Sequence, residues 1–401
     1  MTDAPALTQP SRPGHSGAAA PSAGGGGHSA TRPRRPRLYA LDGMRLIAAL
    51  TVVSFHWTAY VGIPGVWPGK TPREVLPTLN HIASYGWLGV ELFFVISGFV
   101  ICMSCWGKRP GDFFVSRVIR LYPAYWTGVA LTTVVLLTAT EYARSGAADG
   151  LDASRVLANL TMLQEPFGVH HVDGVYWTLW AEMKFYLLFS VVVVRGLTYR
   201  RVVAFCGIWA VAGALSVPAQ IPLLTTLAMP DQAPFFIAGI AMFLMYRFGP
   251  NLLLWGIVGF SWMLALSRIN SIKVLYESVL GYPLSWNVIA GVMTLAFALV
   301  LAAALGWFNW ASWKWLTIAG ALTYPVYLIH QEIGWTIIHF AQTKGLGVRG
   351  ALAVALVIVL ATAWLIHRLV ERPLSGALKK GLDRSMLTLR QVSDEPGRTR
   401  S

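Results

Sequence analysis

The sequence predicts an all-α, polytopic membrane bundle of about ten transmembrane helices. Three observations carry that expectation. Apolar runs of about 20 residues recur along the chain, the length that crosses a ~30 Å hydrocarbon core at 1.5 Å per residue. Only 12% of residues are charged and 55% are hydrophobic, whereas soluble domains carry roughly 25% charged residues. The lysines and arginines stand mostly between the runs rather than inside them, as loop residues that orient membrane helices do.

Taken in order, residues 1–31 are rich in Gly, Ala, Pro and Ser, too poor in bulky apolar side chains to offset the entropy of ordering. No apolar core precedes Arg32, so the stretch does not read as a signal peptide. Arg32, Arg34, Arg35 and Arg37 then place the N-terminus in the cytoplasm. Spans are expected at about 39–61, 84–106, 121–140, 175–195, 202–218, 233–248, 251–267, 285–305, 315–340 and 351–370. Pro218, Pro222, Pro230 and Pro234 interrupt the pattern between the fifth and sixth of these. An even count returns the C-terminus to the cytoplasm. The loop charges agree: Lys108, Arg109, Arg117, Arg120, Arg200, Arg201, Arg247, Lys314 and Arg372 fall on the cytoplasmic side, against a sparser outer set such as Lys70, Arg73, Arg144 and Arg155. The chain divides into a basic cytoplasmic tail (1–37), a membrane domain (38–375) and a C-terminal cytoplasmic tail (376–401). The net charge of +14 is explained by these loops and tails, so nucleic acid is not an expected partner. No internal repeat is visible, which counts against a repeat-built transporter.

Inside the spans, polar groups are costly and mark function. The first span, LDGMRLIAALTVVSFHW, carries Asp42, Arg45 and His56. Arg45 and His56 are eleven residues apart, hence on one helical face and about 16 Å apart along the axis. Asp42 also reads as a helix cap, and Arg45 as a side chain snorkelling to headgroups. Glu91 opens the second span, followed by Ser97 and Gly98, whose small side chains admit a close neighbour. Arg117 and Arg120 are three apart, one face of a helix if the segment is helical. Their planar guanidinium forks suit phosphate. Glu182 and Tyr186 share one side of the fourth span, and Lys184 lies on another face. The ninth span carries Tyr324, Tyr327, His330 and Glu332, and Glu371 and Arg372 close the last. His170 and His171 are adjacent and cannot share a helical face. The cysteines 102, 105 and 206 sit in apolar runs, and no metal is expected. Together the polar residues of spans one, two, four and nine point to a polar cavity with a basic cytoplasmic mouth.

The order LDGMRLIAA…H, FFVISGF, RVIRLYPAYW, WTLWAEMKFY, LTYPVYLIH and ERP resembles the acyltransferase 3 family of integral-membrane acyl-CoA O-acyltransferases over residues 38–375. The resemblance implies a ten-helix membrane core that transfers an acyl group, often acetyl, from acyl-CoA to a hydroxyl. The implied acceptors are carbohydrates, glycolipids or macrolide-type molecules. By position, Arg45 and His56 match the family's arginine–histidine signature, Arg117 and Arg120 its paired arginines, and Glu182 its glutamate. Many members add a C-terminal SGNH hydrolase-like domain, for which the residues after 375 are too short. The implied setting is the cell membrane.

Acyl transfer to a hydroxyl needs a base, a stabilised oxyanion and a grip on CoA. His56 is the expected base, or it carries the acyl group itself; the sequence leaves both open. Asp42 or Glu182 is the carboxylate expected to orient the imidazole. Arg45 is expected to serve the oxyanion or the thioester region, with Arg117 and Arg120 on the CoA phosphates. The alternative is a transporter or exporter using His56, Glu182 and His330 as a proton relay. The acceptor, the acyl length and the roles of Glu91, His330 and Glu371 are not written in the sequence.

Overall fold

The structure, a computed structural model, describes residues 38–60, 66–67, 69–144 and 146–382. Among them there is no strand, and all ten expected segments are helical. The expected tails at 1–37 and from 383 onward lie outside the described residues. The principal helices are α1 (Tyr39–Thr58), α2 (Gly89–Cys105), α3 (Pro110–Thr138), α4 (Trp177–Val194), α5 (Tyr199–Ala219) and α6 (Ala233–Phe248). They continue as α7 (Leu252–Ser267), α8 (Ile269–Leu280), α9 (Trp286–Ala304), α10 (Trp315–Ile329), α11 (Glu332–Thr343) and α12 (Val348–Leu365). Seven helical stretches among the described residues are long and apolar enough to cross a membrane alone, and the bent pair α7–α8 makes an eighth. The protein is a multi-pass membrane bundle. α1 falls short of that apolarity because it carries Asp42, Arg45 and His56.

Local chemistry sets the ends. Between α6 and α7 the chain reads Gly249–Pro250–Asn251. Gly249 takes φ +85°, which only glycine adopts cheaply, and so stops α6. Asn251 then caps α7, accepting from the Leu254 amide at 3.1 Å. The prolines that cloud the pattern from 218 to 234 fall mostly where proline is tolerated. Pro222 and Pro234 occupy the first turns of helices, and Pro218 the last turn of α5.

Every residue of α6 from Ala233 to Met245 is buried, so this helix forms the centre of the bundle. α2 packs directly on it. A side chain at Gly98 would strike the Phe236 carbonyl, and one at Gly239 would strike the Val95 carbonyl. The two backbones touch because both positions lack a Cβ, which is how helices associate where lipid supplies no hydrophobic drive.

Three expectations about the spans need correction. The third helix begins at Pro110, not near 121, so Arg117 and Arg120 belong to it. Pro110 supplies a ready first turn. Pro123 sits inside this helix without an N–H, which leaves the Ile119 carbonyl without its usual donor; the Ser375 hydroxyl donates to it at 3.1 Å. The seventh span bends by 43° at Arg268 and continues as α8. There the Arg268 guanidinium donates to Asp231 at 2.7 Å. The ninth span is not continuous from 315 to 340 but breaks at His330–Gln331. Other partners take the backbone groups at that break. The Trp57 indole donates to the His330 carbonyl at 2.8 Å, and the Glu332 amide donates to Asp173 at 3.2 Å.

Gly239→Val should force α2 and α6 apart. The expected cost is about 1–3 kcal/mol, the usual range for overpacking. It should appear as a thermal midpoint several degrees lower in detergent, with Gly207→Val, which has open space around it, as the unaffected control.

Candidate active site

A cavity of about 240 Å³ opens among α1, α2, α3, α4 and α10. Its polar lining includes Arg45, Arg117, Arg120, Glu182, Ser97 and Tyr186, with Tyr324 and Tyr327 from α10. Arg45, Arg117, Arg120 and Glu182, four of the expected site residues carried on three separate helices, thus converge. Three guanidiniums face one carboxylate, so the lining favours an anionic guest. Glu182 accepts from the Ser97 hydroxyl at 3.2 Å and from the Tyr186 hydroxyl. The Arg117 guanidinium lies over the Tyr186 ring at 5.8 Å and reaches Ser104 at 3.4 Å. Arg45 has Arg120, Asp42, Glu182 and Tyr186 as its electrostatic neighbours. The remaining walls are apolar: Val90, Phe93, Phe94, Ile101 and Leu179.

Asp42 stands beside the cavity rather than in its lining. It lies 3.7 Å from Arg45 and against Gly320, where a Cβ would come within 2.8 Å of it. The N-cap position of α1 is Leu38, so Asp42 stands inside the first turn of the helix rather than at its cap. Fourteen residues of one unbroken helix separate Asp42 from His56, about 21 Å along the axis. Asp42 therefore does not reach the imidazole, and Glu182 is bonded to Ser97 and Tyr186 instead, so neither of the two carboxylates offered as its orienter touches the ring. The ring's partner is His330. His56 Nδ1 lies 3.1 Å from His330 Nε2 and 2.9 Å from the Val52 carbonyl.

His56 does not line the cavity either. The path of contacts runs from the cavity wall at Phe93 and Tyr327 (ring centroids 6.0 Å apart) through His330, 5.6 Å from Tyr327, to His56, 5.0 Å further. His330 is fully buried and His56 half-buried. Two indoles join the segments that carry them. Trp57 donates to the His330 carbonyl and Trp335 to the His56 carbonyl, each at 2.8 Å. Sequence reasoning singled out neither tryptophan, because an indole in a membrane helix is usual and each finds its carbonyl acceptor on a distant segment, 273 or 279 residues away in the chain.

Other singled-out residues lie apart. Glu332 pairs with Arg144 at 2.8 Å beside Asp173. The backbone carbonyls of His170 and His171 accept from Arg155, at 3.3 and 2.6 Å. Glu371 pairs with His367, one turn back, at 2.7 Å. Glu91 is buried, and its Oε2 has no hydrogen bond among the described residues.

The model of an acyltransferase domain matches residues 38–368, the whole of this helical core up to the end of α12. The chain belongs to the acyltransferase 3 family. Among curated relatives of this family member is acyltransferase MdmB of Streptomyces mycarofaciens, 26% identical over 85% of this chain and 92% of its own length. Another is nodulation protein 10 of Rhizobium leguminosarum bv. viciae, 24% identical over 74% of this chain and 83% of its own. No solved structure matches. The protein is accordingly a membrane acyltransferase, and the cavity, with the histidine pair behind it, is its candidate active site.

The Arg144–Glu332 pair offers a stability test beside that site. Arg144→Ala leaves the Glu332 carboxylate, 1% exposed, without its cation. The expected loss is about 3 kcal/mol, read by reversible unfolding in mixed micelles. Glu332→Gln added to Arg144→Ala should recover most of it.

Proposed function

We propose that the protein is an O-acyltransferase that moves an acyl group, acetyl in the first instance, from acyl-CoA to a hydroxyl of a carbohydrate, glycolipid or macrolide-type acceptor. One observation carries the reading: Arg45, Arg117 and Arg120 converge on one cavity, with His56 roughly three helical turns further along the helix that bears Arg45. CoA is rich in phosphate, and guanidiniums hold phosphate through paired, charge-assisted hydrogen bonds. The loop-charge bias supports a cytoplasmic position, at the cell membrane, for the arginine end of the bundle and for both termini, on the side where CoA thioesters are made. The apolar walls at Phe93, Phe94 and Leu179 suit the pantetheine arm and the acyl group.

In this reading Arg117 and Arg120 hold the CoA phosphates. Arg45 grips the donor and not the oxyanion, because its place in the cavity is far from His56. Glu182, fixed by Ser97 and Tyr186, keeps the guanidiniums apart and aligned. His56 is the base. It takes the proton of the acceptor hydroxyl as the oxygen attacks the thioester carbonyl. The C–S bond then breaks, and the departing thiolate takes the proton from the imidazolium, giving ester and CoA–SH. Imidazole suits this work in an apolar site because its neutral form needs no counter-charge.

Two measurements test the proposal. Mass spectrometry of glycolipids, polysaccharides and secreted metabolites, from cells with and without the protein, should show one acylated species that disappears; no change in any fraction would count against acyl transfer. With that acceptor in hand, Arg117→Ala and Arg120→Ala should each raise KM for acetyl-CoA about tenfold or more, the worth of one lost charge-assisted bond. His56→Ala should lower kcat by at least about a hundredfold while the protein remains folded. Full turnover by His56→Ala would remove the histidine from the mechanism.

A further inference from the structure

We infer that His330 is the positioning residue of the reaction: together with the Val52 carbonyl it fixes the tautomer and orientation of the His56 ring, so that Nε2 is the atom that takes the hydroxyl proton. The inference rests on the acyl-transfer reading and adds to it the reacting atom and the group that sets it.

The argument starts from two backbone carbonyls, which can only accept. His330 Nδ1 lies 2.8 Å from the Tyr327 carbonyl, so Nδ1 bears the hydrogen. In the neutral ring its Nε2 then carries a lone pair. His56 Nδ1 lies 2.9 Å from the Val52 carbonyl and 3.1 Å from that His330 Nε2. Both neighbours are acceptors, so His56 Nδ1 bears the hydrogen and donates to both. A lone pair there would face two others. Nδ1–H at His56 leaves Nε2 unprotonated, and Nε2 has no hydrogen bond among the described residues. Each ring thus has one possible neutral tautomer: the Tyr327 carbonyl sets that of His330, and the Val52 carbonyl and His330 Nε2 together set that of His56.

The frame around the pair is equally specific. Trp57, next to His56, holds the carbonyl of His330, and Trp335, five residues after His330, holds the carbonyl of His56. Gly334 leaves room for the Trp57 indole, since a Cβ there would come within 2.5 Å of its Nε1. These reciprocal bonds cross between α1 and the break in the ninth span and fix the separation of the rings. The arrangement performs the orienting task of the carboxylate in a serine–histidine–aspartate triad with a neutral acceptor instead. A carboxylate in that buried place would need a charge partner of its own. When Nε2 takes the proton from the hydroxyl, the imidazolium keeps its Nδ1–H bond to His330, and the same proton leaves from Nε2 to the CoA thiolate.

Three substitutions separate positioning from packing. His330→Ala and His330→Phe remove the acceptor, the second while keeping a ring; both should lower kcat about a hundredfold, with KM for acetyl-CoA within twofold. His330→Asn can donate its amide N–H to Tyr327 and accept at its oxygen from His56, and should return kcat to within about tenfold of the unmodified protein. Equal losses in Phe and Asn, or kcat within twofold in Ala, would overturn the inference. If His56→Ala itself retains turnover, the acyl-transfer mechanism fails first. A loss in His56→Ala with none in the His330 variants sinks only the positioning role. The unmodified protein supplies a readout independent of folding in any His330 variant. With ¹⁵N-histidine labelling, and a His56→Asn sample to assign the signal, the His56 ring should show a protonated Nδ1 and an unprotonated Nε2; the reverse tautomer refutes it.

Discussion

A polar group carried into hydrocarbon must find its partner inside the protein, and much of this structure follows from that constraint. Where the helices are regular, the backbone satisfies itself. Where they are not, a distant residue has been brought to the gap. The break at His330–Gln331 exists beside Trp57 and Asp173, which take the carbonyl and the amide that a continuous helix would have paired. The interruption in turn lets α1 and the ninth span exchange indole–carbonyl bonds. The histidine pair therefore depends on a defect in a helix, and the defect depends on side chains 159 and 273 residues away in the chain.

The same constraint explains why charges are gathered and not scattered. Arg45, Arg117 and Arg120 would each be expensive alone in lipid; here all three line one cavity together with the Glu182 carboxylate. The cavity is amphipathic by construction. Its guanidiniums come from α1 and α3, its aromatic wall from α2 and α10, and the two regions meet at Ser97, Glu182 and Tyr186. The guanidiniums and the histidine pair are then separate places joined by an aromatic partition, and on the proposed reading phosphate recognition and proton transfer are divided between them.

Much of this was legible in the sequence. Period and polarity located all ten helical segments. The convergence of Arg45, Arg117, Arg120 and Glu182 was readable because each is a costly residue in an apolar run, and such residues must meet. What was not legible depends on long-range acceptors. Apolar periodicity runs through residue 330, so nothing local announces the break there. The orienter of His56 was sought among carboxylates, the usual third group, and Asp42 lies on the same helix; but the helical rise puts it at the opposite end. Trp57 and Trp335 have the same composition signal as any interfacial tryptophan. The start of α3 was set too late because its first turns are polar, although Pro110 marks the true beginning.

The repair at Pro123 has a consequence for where this domain ends. The match to the acyltransferase family stops at residue 368, yet the hydroxyl that satisfies the Ile119 carbonyl belongs to Ser375. Ile119 immediately precedes Arg120, one of the cavity's three guanidiniums. The helical segment that follows α12 is therefore a structural part of the arginine-bearing helix, seven residues outside the family's limits. A fragment cut at those limits would leave an unsatisfied carbonyl one residue from the cavity lining, so the smallest unit that keeps this helix whole is longer than the shared sequence suggests.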